Sequence, residues 1–212
     1  MAILQNGPNG AIVGKFGSVS AYLLKGQNVV RGGKRKKRTS PPSEAELLNR
    51  EKQKVAGKFA GANKVILEFG YQSLATKGSR VGAFQLAQRH IFKETLELGE
   101  DNKPFVNPEK LLLFSGPLNP LANCQVSLDG DRIDLSWTVD DEYRSSIYKI
   151  NVGLIDIEGE SRLKISIANV NQGSCSFEVE GISKKAFDCH VYVGVWDTLQ
   201  DDFSNSIYCG VI

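Results

Sequence analysis

The sequence has few of the residues on which catalysis usually depends. It contains only two histidines in 212 residues. His90 is predicted on a helix and His190 on a strand, and no spacing typical of a Ser-His-Asp or Cys-His set connects either of them to a nucleophile. We therefore predict no catalytic residues and no cofactor. We also expect no small-molecule substrate and interpret the chain as a protein that is not an enzyme.

The cysteines are absent from the first half of the chain and sparse in the second. Their spacings of 51, 14 and 20 residues match neither the closely spaced ligand pairs of zinc sites nor the density of a disulfide scaffold. The sequence indicates reduced thiols that are mostly in the core, with one bridged pair as the alternative, and no metal site. The four residues are Cys124, Cys175, Cys189 and Cys209.

Long apolar segments are also missing. No run approaches the about 20 residues that a membrane-spanning helix needs. The stretch from Met1 to Pro8 has neither a basic n-region nor an apolar core, so it does not resemble a signal peptide. We expect no membrane span and no signal peptide, and a location in the cytoplasm or in a virion.

The charge is divided unevenly along the chain. Residues 1–99 hold 17 Lys and Arg against 6 Asp and Glu, a net +11, whereas residues 100–212 hold 9 against 18, a net −9. The most basic segment consists of five adjacent cations: Lys34, Arg35, Lys36, Lys37 and Arg38. Such a block cannot enter a core and must be solvated or meet an anionic partner. The distribution favours binding to a polyanion or to another copy of the chain.

The first 33 residues form a segment with seven glycines and short β-prone runs. Gly14 to Gly17 predicts a hairpin turn, because glycine tolerates the positive φ of tight turns. A phosphate-binding loop is disfavoured because the stretch from Gly10 to Lys15 is one residue short, and Phe16 stands where the metal-binding Ser or Thr belongs. With few large apolar residues, this arm is predicted to add strands to its own C-terminal domain or to a neighbouring subunit.

Two helices are predicted after the basic block. Ser43 and Glu46 match a capping box, so the first helix should begin at Ser43. Arg50, Lys54 and Lys58 lie away from its apolar positions and form either a solvated face or an extension of the basic surface. A second helix is predicted over 81–98 and closed by Gly99. On it, His90 and Glu94 are four residues apart, which suits a surface pair better than a metal site.

Four prolines between residues 100 and 123 favour a boundary there, because each proline removes a backbone donor. We therefore divide the chain into an arm (1–42), a helical region (43–99), a proline-rich linker (100–121) and a β domain (122–212).

Seven strands with alternating apolar residues are predicted after the linker, and no proline follows Pro120 to interrupt them. Seven short strands in about ninety residues are typical of an immunoglobulin-like or fibronectin-type sandwich. The predicted fold class is therefore α+β, with a Gly-rich β-prone arm, a short helical region and a C-terminal immunoglobulin/fibronectin-III-like sandwich. The predicted strands are 125–128, 132–137, 148–154, 163–167, 175–179, 190–196 and 207–211.

In such a sandwich, two acidic loops should lie at the same end and form an acidic tip. One interpretation is a solvated loop end that keeps the domain soluble. The alternatives are a calcium site, which no ligand spacing specifies, and a socket for the basic block of another subunit. The six residues are Asp140, Asp141, Glu142, Asp197, Asp201 and Asp202.

Short motifs are distributed over nearly the whole chain. They are Asn6-Gly7, Gly10, Gly14-Lys15, Gly17, Gly26, Arg31, Glu46, Arg50, 111–118, Ser136-Trp137, 190–192 and 204–210. Together these motifs resemble an uncharacterised family of domains of unknown function that is common in the Bacteroidetes. The resemblance implies the same arm, helical middle and terminal sandwich, and it implies no known activity. The architecture is also similar to that of phage-type structural components, as an analogy only.

Together these features predict a non-enzymatic structural or assembly protein, with a virion component as one form of it. The basic arm would dock onto neighbouring subunits or packaged nucleic acid, while the sandwich presents an interaction surface. The alternative is a nucleic-acid-binding protein that uses the basic block together with Arg50, Lys54 and Lys58.

Overall fold

The computed structural model describes residues 2–4, 10–24, 26–33, 39–75, 79, 81–157, 161–182 and 188–212. The basic block at 34–38 lies outside the described residues. In the described part, the chain is a mixed α+β protein dominated by strands. All of its sheets are antiparallel.

The arm forms its own four-stranded antiparallel sheet in sequential order. The predicted turn at Gly14–Gly17 was placed too early, because residues 14–16 belong to a strand and pair with residues 19–21. The turn consists of Gly17 and Ser18, where Gly17 supplies a φ of 57° that other residues rarely adopt. The strands are β1 (Ala2–Leu4), β2 (Ile12–Phe16), β3 (Val19–Leu24) and β4 (Gln27–Gly32).

Helix α1 (Glu44–Ala62) begins as the sequence predicts. The Ser43 hydroxyl accepts from the Glu46 backbone N–H at 3.3 Å, and the Glu46 carboxylate accepts from the Ser43 N–H at 3.0 Å. The capping box is therefore confirmed, and it satisfies two backbone donors that a helix end leaves open. The short helix α2 (Lys64–Gly70) follows directly.

The second predicted helix is shorter than expected. Helix α3 (Ala83–His90) continues as one π-helical turn (Ile91–Thr95) and then becomes strand β5 (Leu96–Leu98), which pairs with β6 (Pro104–Val106). The apolar spacing continues past this point, but Thr95 is buried and its hydroxyl bonds the carbonyl of Lys110 at 3.3 Å. This contact favours the change to an extended backbone.

The segment that the sequence assigns to a proline-rich linker contains buried residues. Leu111, Leu113 and Phe114 are fully or almost fully buried between the helices and the following sheet. The backbone is tied on both sides, because Ser115 N–H donates to Gly70 O at 2.9 Å and Ser206 N–H donates to Phe114 O at 2.9 Å. Residues 111–116, which we call the wedge, therefore join the helical region to the β region.

All seven strands predicted for residues 122–212 are present, with one additional two-residue strand. They form two antiparallel sheets. The three-stranded sheet consists of β7 (Ala122–Asp129), β8 (Arg132–Thr138) and β11 (Ser174–Glu178). The five-stranded sheet consists of β9 (Tyr148–Ile155), β10 (Ser161–Asn169), β12 (His190–Asp197), β13 (Asp202–Phe203) and β14 (Ile207–Val211).

The five-stranded sheet is covered on both faces. Alternate residues of β9 and β12, such as Val152 and Val193, share a hydrophobic core with Leu135 and Trp137 of the other sheet. The residues between them point to the opposite face. There, Ile155 of β9 and Tyr192 of β12 join the core formed by the helices and the wedge. The helices, the five-stranded sheet and the three-stranded sheet therefore lie in three successive layers.

Candidate interaction surfaces

The sheet of the arm has two chemically different faces. Alternation along β3 places Val19, Ala21 and Leu23 on one side, and the pairing of Phe16 with Val19 and of Val30 with Ala21 extends that side to both neighbouring strands. We call this side the arm face. Its apolar residues are Ile12, Phe16, Val19, Ala21, Leu23 and Val30, and no charged side chain belongs to it among the described residues.

Much of the arm face is open to solvent. Val30 is 55% exposed, Leu23 42% and Phe16 41%. On the opposite face, Lys15 and Arg31 carry charge, and the Arg31 guanidinium lies 5.6 Å from the ring centre of Tyr22. The opposite face also carries apolar residues, including Ile3 and Leu24, which are 65% and 38% exposed. The two faces therefore differ in charge rather than in the presence of apolar side chains. In the described residues, the strands of the arm pair only with one another.

The basic helix residues are brought together as predicted by their spacing. Arg50, Lys54 and Lys58 are four residues apart on α1, and all three are exposed. Lys54 and Lys58 also line a shallow cavity of about 260 Å³ between α1 and β6 that includes Lys103. Asp101 forms an ion pair with Lys103 at 3.0 Å and raises the pKa of that lysine. Glu51 also lines this cavity, so its rim is mixed in charge with an excess of lysines.

The predicted acidic tip is less open than the sequence suggests. Asp197 is only 4% exposed, and its carboxylate accepts hydrogen bonds from two backbone N–H groups of the turn that follows β12. Asp201 accepts from the indole N–H of Trp196 and from the side-chain amide of Gln72, both at 2.9 Å. Asp202 is half-buried in β13. These carboxylates therefore hold the turn together.

The other acidic loop, between β8 and β9, has similar local partners. Asp141 pairs with Arg144 at 2.5 Å, and Glu142 accepts from the side chain of Asn119 at 3.1 Å. Asp140 is half-buried. Across the described ranges, no three His, Cys, Asp or Glu side chains lie close enough to hold a metal ion. The geometry therefore lends no support to the calcium alternative.

The two histidines lie in separate environments. His90 is half-buried in α3, and burial lowers its pKa although Glu94 acts in the opposite direction. Its Nδ1 atom is buried without a hydrogen-bond partner. His190 bonds the Tyr208 hydroxyl through Nδ1 at 2.9 Å, and burial lowers its pKa as well. Neither ring faces a nucleophile in a described contact.

Two features that bear on function were not predicted from the sequence. The arm face follows from strand register, and its signal was the alternation of Val19, Ala21 and Leu23. The second is the proximity of Cys124 and Cys209, whose sulfur atoms are 2.9 Å apart although 85 residues separate them. No local pattern in the sequence could indicate that contact.

Comparisons with known proteins assign no class to this arrangement. No family model matches the chain, and no curated protein matches its sequence. Among the helices of the described residues, none is both long and apolar enough to cross a membrane. The evidence for a function therefore lies in the arm face, the basic side of α1 and the acidic loops.

Proposed function

We propose that this chain is a non-enzymatic assembly protein that associates with further copies of itself through the arm face. The observation that carries the proposal is the exposure of Phe16, Leu23 and Val30 on the face of the arm sheet that has no charged side chain among the described residues. Burying apolar area of this kind is the main favourable term in protein association. A sheet this small is also marginal alone and gains stability from a second layer.

The occupant we propose is the arm face of a second copy. A face without charge can approach an identical face without repulsion, and two antiparallel sheets pack about 10 Å apart with interdigitating side chains. Such an interface would be isologous, with the same residues on both sides.

The excess of acid in residues 100–212 supplies the complementary charge. The +11 of the first 99 residues and the −9 of the remainder favour contact between the basic half of one copy and the acidic half of the next. Packaged nucleic acid would supply the same negative charge. A virion is one assembly in which both partners would be present, and we place the proposed function in that class.

We further infer that residues 122–212 have an immunoglobulin/fibronectin-III-like topology. The first, second and fifth strands (β7, β8, β11) share one sheet, and the third, sixth and seventh (β9, β12, β14) share the other, as in immunoglobulin domains. The fourth strand, β10, pairs with the third rather than with the fifth. An experimental structure in which β9 pairs with β8 rather than with β12 would overturn this inference.

The assembly proposal is tested by sedimentation of the full chain over a wide range of concentrations, with Val30→Asp and Val29→Asp compared. The two valines are neighbours in β4, but Val30 lies on the arm face and Val29 on the opposite face. Both substitutions add the same charge and lose the same β propensity. We expect the native chain and Val29→Asp to associate, and Val30→Asp to remain monomeric.

Two results would contradict the proposal. One is a native chain that stays monomeric at the highest concentration. The other is an identical response of the two variants. Repeating the measurement after nuclease treatment separates self-association from association through bound nucleic acid, because only the latter is lost when the nucleic acid is digested.

The alternative function, nucleic-acid binding, is favoured by one observation. Arg50, Lys54 and Lys58 form an exposed stripe on α1, one helical turn apart. Phosphate contacts by such a stripe would make affinity fall by about 0.9 log unit per log unit of salt for each phosphate neutralised on duplex DNA. Exposed lysine and arginine side chains contribute to the free energy of binding only when an anionic group such as a phosphate contacts them.

The test compares Lys54→Glu/Lys58→Glu with Lys64→Glu in duplex-binding titrations at several salt concentrations. Lys64 lies on α2 and is paired with Glu68 at 3.7 Å. If the alternative is correct, the double variant weakens binding and reduces the salt slope, while the control changes little. Equal slopes for the native chain and the double variant would exclude the stripe as the binding surface.

A further inference from the structure

Cys124 and Cys209 lie at the edges of two different sheets. β7 is the edge strand of the three-stranded sheet, and β14 lies at the edge of the five-stranded sheet beside β12. No backbone ladder joins β7 to β14 among the described strands. The sulfur atoms nevertheless approach to 2.9 Å, and both residues are half-buried.

Local backbone irregularities direct both side chains into this gap. The register of β7 against β8 shifts between Ala122 and Gln125, which leaves Cys124 in a bulge next to Asn123 at a φ of 52°. The register of β14 against β12 shifts as well, and Cys209 is the residue left without an opposite partner. Bulges re-aim side chains, and here two of them re-aim thiols toward each other.

We propose that Cys124 and Cys209 are a redox-active pair that an external low-molecular-weight disulfide converts into an intramolecular bridge. The bridge would connect the first and last strands of residues 122–212 and close the open side between the two sheets. This inference does not depend on the proposed assembly function.

The chemistry needs a disulfide oxidant and proceeds by two exchange steps. The Cys124 thiol loses its proton, and its thiolate attacks one sulfur of the oxidant, which forms a mixed disulfide and releases one thiolate of the oxidant. The Cys209 thiol then loses its proton and attacks the sulfur of Cys124, which releases the second thiolate. Two protein thiols are oxidised, one external disulfide is reduced to two thiols, and the two protons pass to the released thiolates.

The order of the steps follows from the hydrogen bond between the two groups. Cys209 donates its S–H to Cys124, which lowers the pKa of Cys124 and raises that of Cys209. Since the thiolate is the nucleophile, Cys124 reacts first. Cys175, the other thiol near Cys124, has its pKa raised to about 11 by burial, and the Cys124 charge adds to that shift. It is therefore the poorer competitor.

The experiment uses the folded full chain and oxidised glutathione, with free-thiol titration and peptide mapping under non-reducing conditions. The native chain and the matched control Cys175→Ser should each lose two thiols and yield one peptide pair linked through Cys124 and Cys209. Cys209→Ser should stop at a glutathione adduct on Cys124. In Cys124→Ser, any glutathione adduct on Cys209 should form more slowly than the adduct on Cys124 forms in Cys209→Ser.

Several outcomes would overturn the proposal. These are a bridge from Cys124 to Cys175, bridges between chains, adducts that accumulate on Cys124 and Cys209 of the native chain without closing, or no loss of thiols under conditions in which urea-unfolded chain reacts. Far-ultraviolet circular dichroism of each variant confirms that it is folded, and a variant that is not folded is replaced by its alanine counterpart.

Discussion

Substitution of Gly194 by alanine should destabilise the chain, because Gly194 lies directly under a buried aromatic ring. A Cβ atom built on Gly194 would lie 2.6 Å from Cδ2 of Phe114, 3.1 Å from its Cγ and 3.3 Å from its Cβ. Phe114 is fully buried and stacks against Phe203 at a ring-centre distance of 6.3 Å. The ring of Phe114 also packs edge-on against Phe69, so it can move only by displacing buried neighbours.

Rotation of the ring relieves only part of this overlap. The Cβ of Phe114 also lies too close, and it can retreat only if the backbone of the wedge moves. That backbone is held by the bond from Ser206 N–H to Phe114 O and by the bond from Leu113 N–H to the Ser206 hydroxyl, both at 2.9 Å. Overpacking of this kind costs about 1–3 kcal/mol. For a chain of this length we expect the midpoint of thermal unfolding to fall by about 2–4 °C for each kcal/mol.

The assay is urea unfolding of the native chain, Gly194→Ala, Phe114→Leu and the double variant. A matched control is Gly61→Ala in α1, where nothing lies within 4 Å of the added Cβ, so that the loss of a helical glycine stabilises by about 0.5–1 kcal/mol. In the Phe114→Leu background, the cost of Gly194→Ala should fall by about 1 kcal/mol or more. A neutral Gly194→Ala, or a cost that Phe114→Leu leaves unchanged, would refute the reasoning.

Three further predictions concern other parts of the molecule. Ser43→Ala removes the cap of α1 and should lower the free energy of unfolding by about 1 kcal/mol, measured in urea. Because burial keeps the pKa of His90 below its unfolded value near 6.5, protons bind more tightly to the unfolded chain, and stability should fall as the pH drops below about 6.5. His90→Gln should reduce this dependence of the free energy of unfolding on pH. An unchanged dependence in the variant would show that other groups cause it. Oxidation of Cys124 and Cys209 closes a long loop and should raise the free energy of unfolding by about 2–4 kcal/mol relative to the reduced chain, whereas Cys175→Ser should leave the increase intact.

The parts of the fold that the sequence predicts correctly have local causes. The start of α1 follows from Ser43 and Glu46, which are three residues apart. The strands after Ala122 follow from alternation within each run, as in Ile133, Leu135 and Trp137, all of which are buried. Each of these signals lies within a few residues and needs no knowledge of the partner.

The errors arise where distant contacts decide. The helix predicted to reach Leu98 ends at Thr95, because the hydroxyl of Thr95 meets a carbonyl fifteen residues later. Residues 100–121 resemble a linker in their proline content, but Leu113 and Phe114 of the wedge within them fill the space above the strands of the five-stranded sheet. The proline content of a segment shows which backbone N–H donors are missing, but it does not show whether the side chains of the segment are buried.

The candidate surfaces divide in the same way. The stripe of Arg50, Lys54 and Lys58 could be derived from helical spacing alone. The acidic tip could not be judged from composition, since Asp197 and Asp201 accept hydrogen bonds within and beyond their own turn. Carboxylates that hold a turn together are less available to a basic partner than their number suggests.

The architecture separates stability from association in a way that can be checked. The five-stranded sheet is covered on both faces, so the residues of its two cores are buried without a partner. On the arm face, Phe16, Leu23 and Val30 are exposed, and its residues belong to neither of the two cores. Gly194→Ala should therefore lower stability without changing the association constant of the folded chain, and Val30→Asp should abolish association without lowering the stability of the helices and sheets. If either substitution changed both properties, the arm and the remainder would be coupled, and the proposed mode of assembly through an independent arm would be wrong.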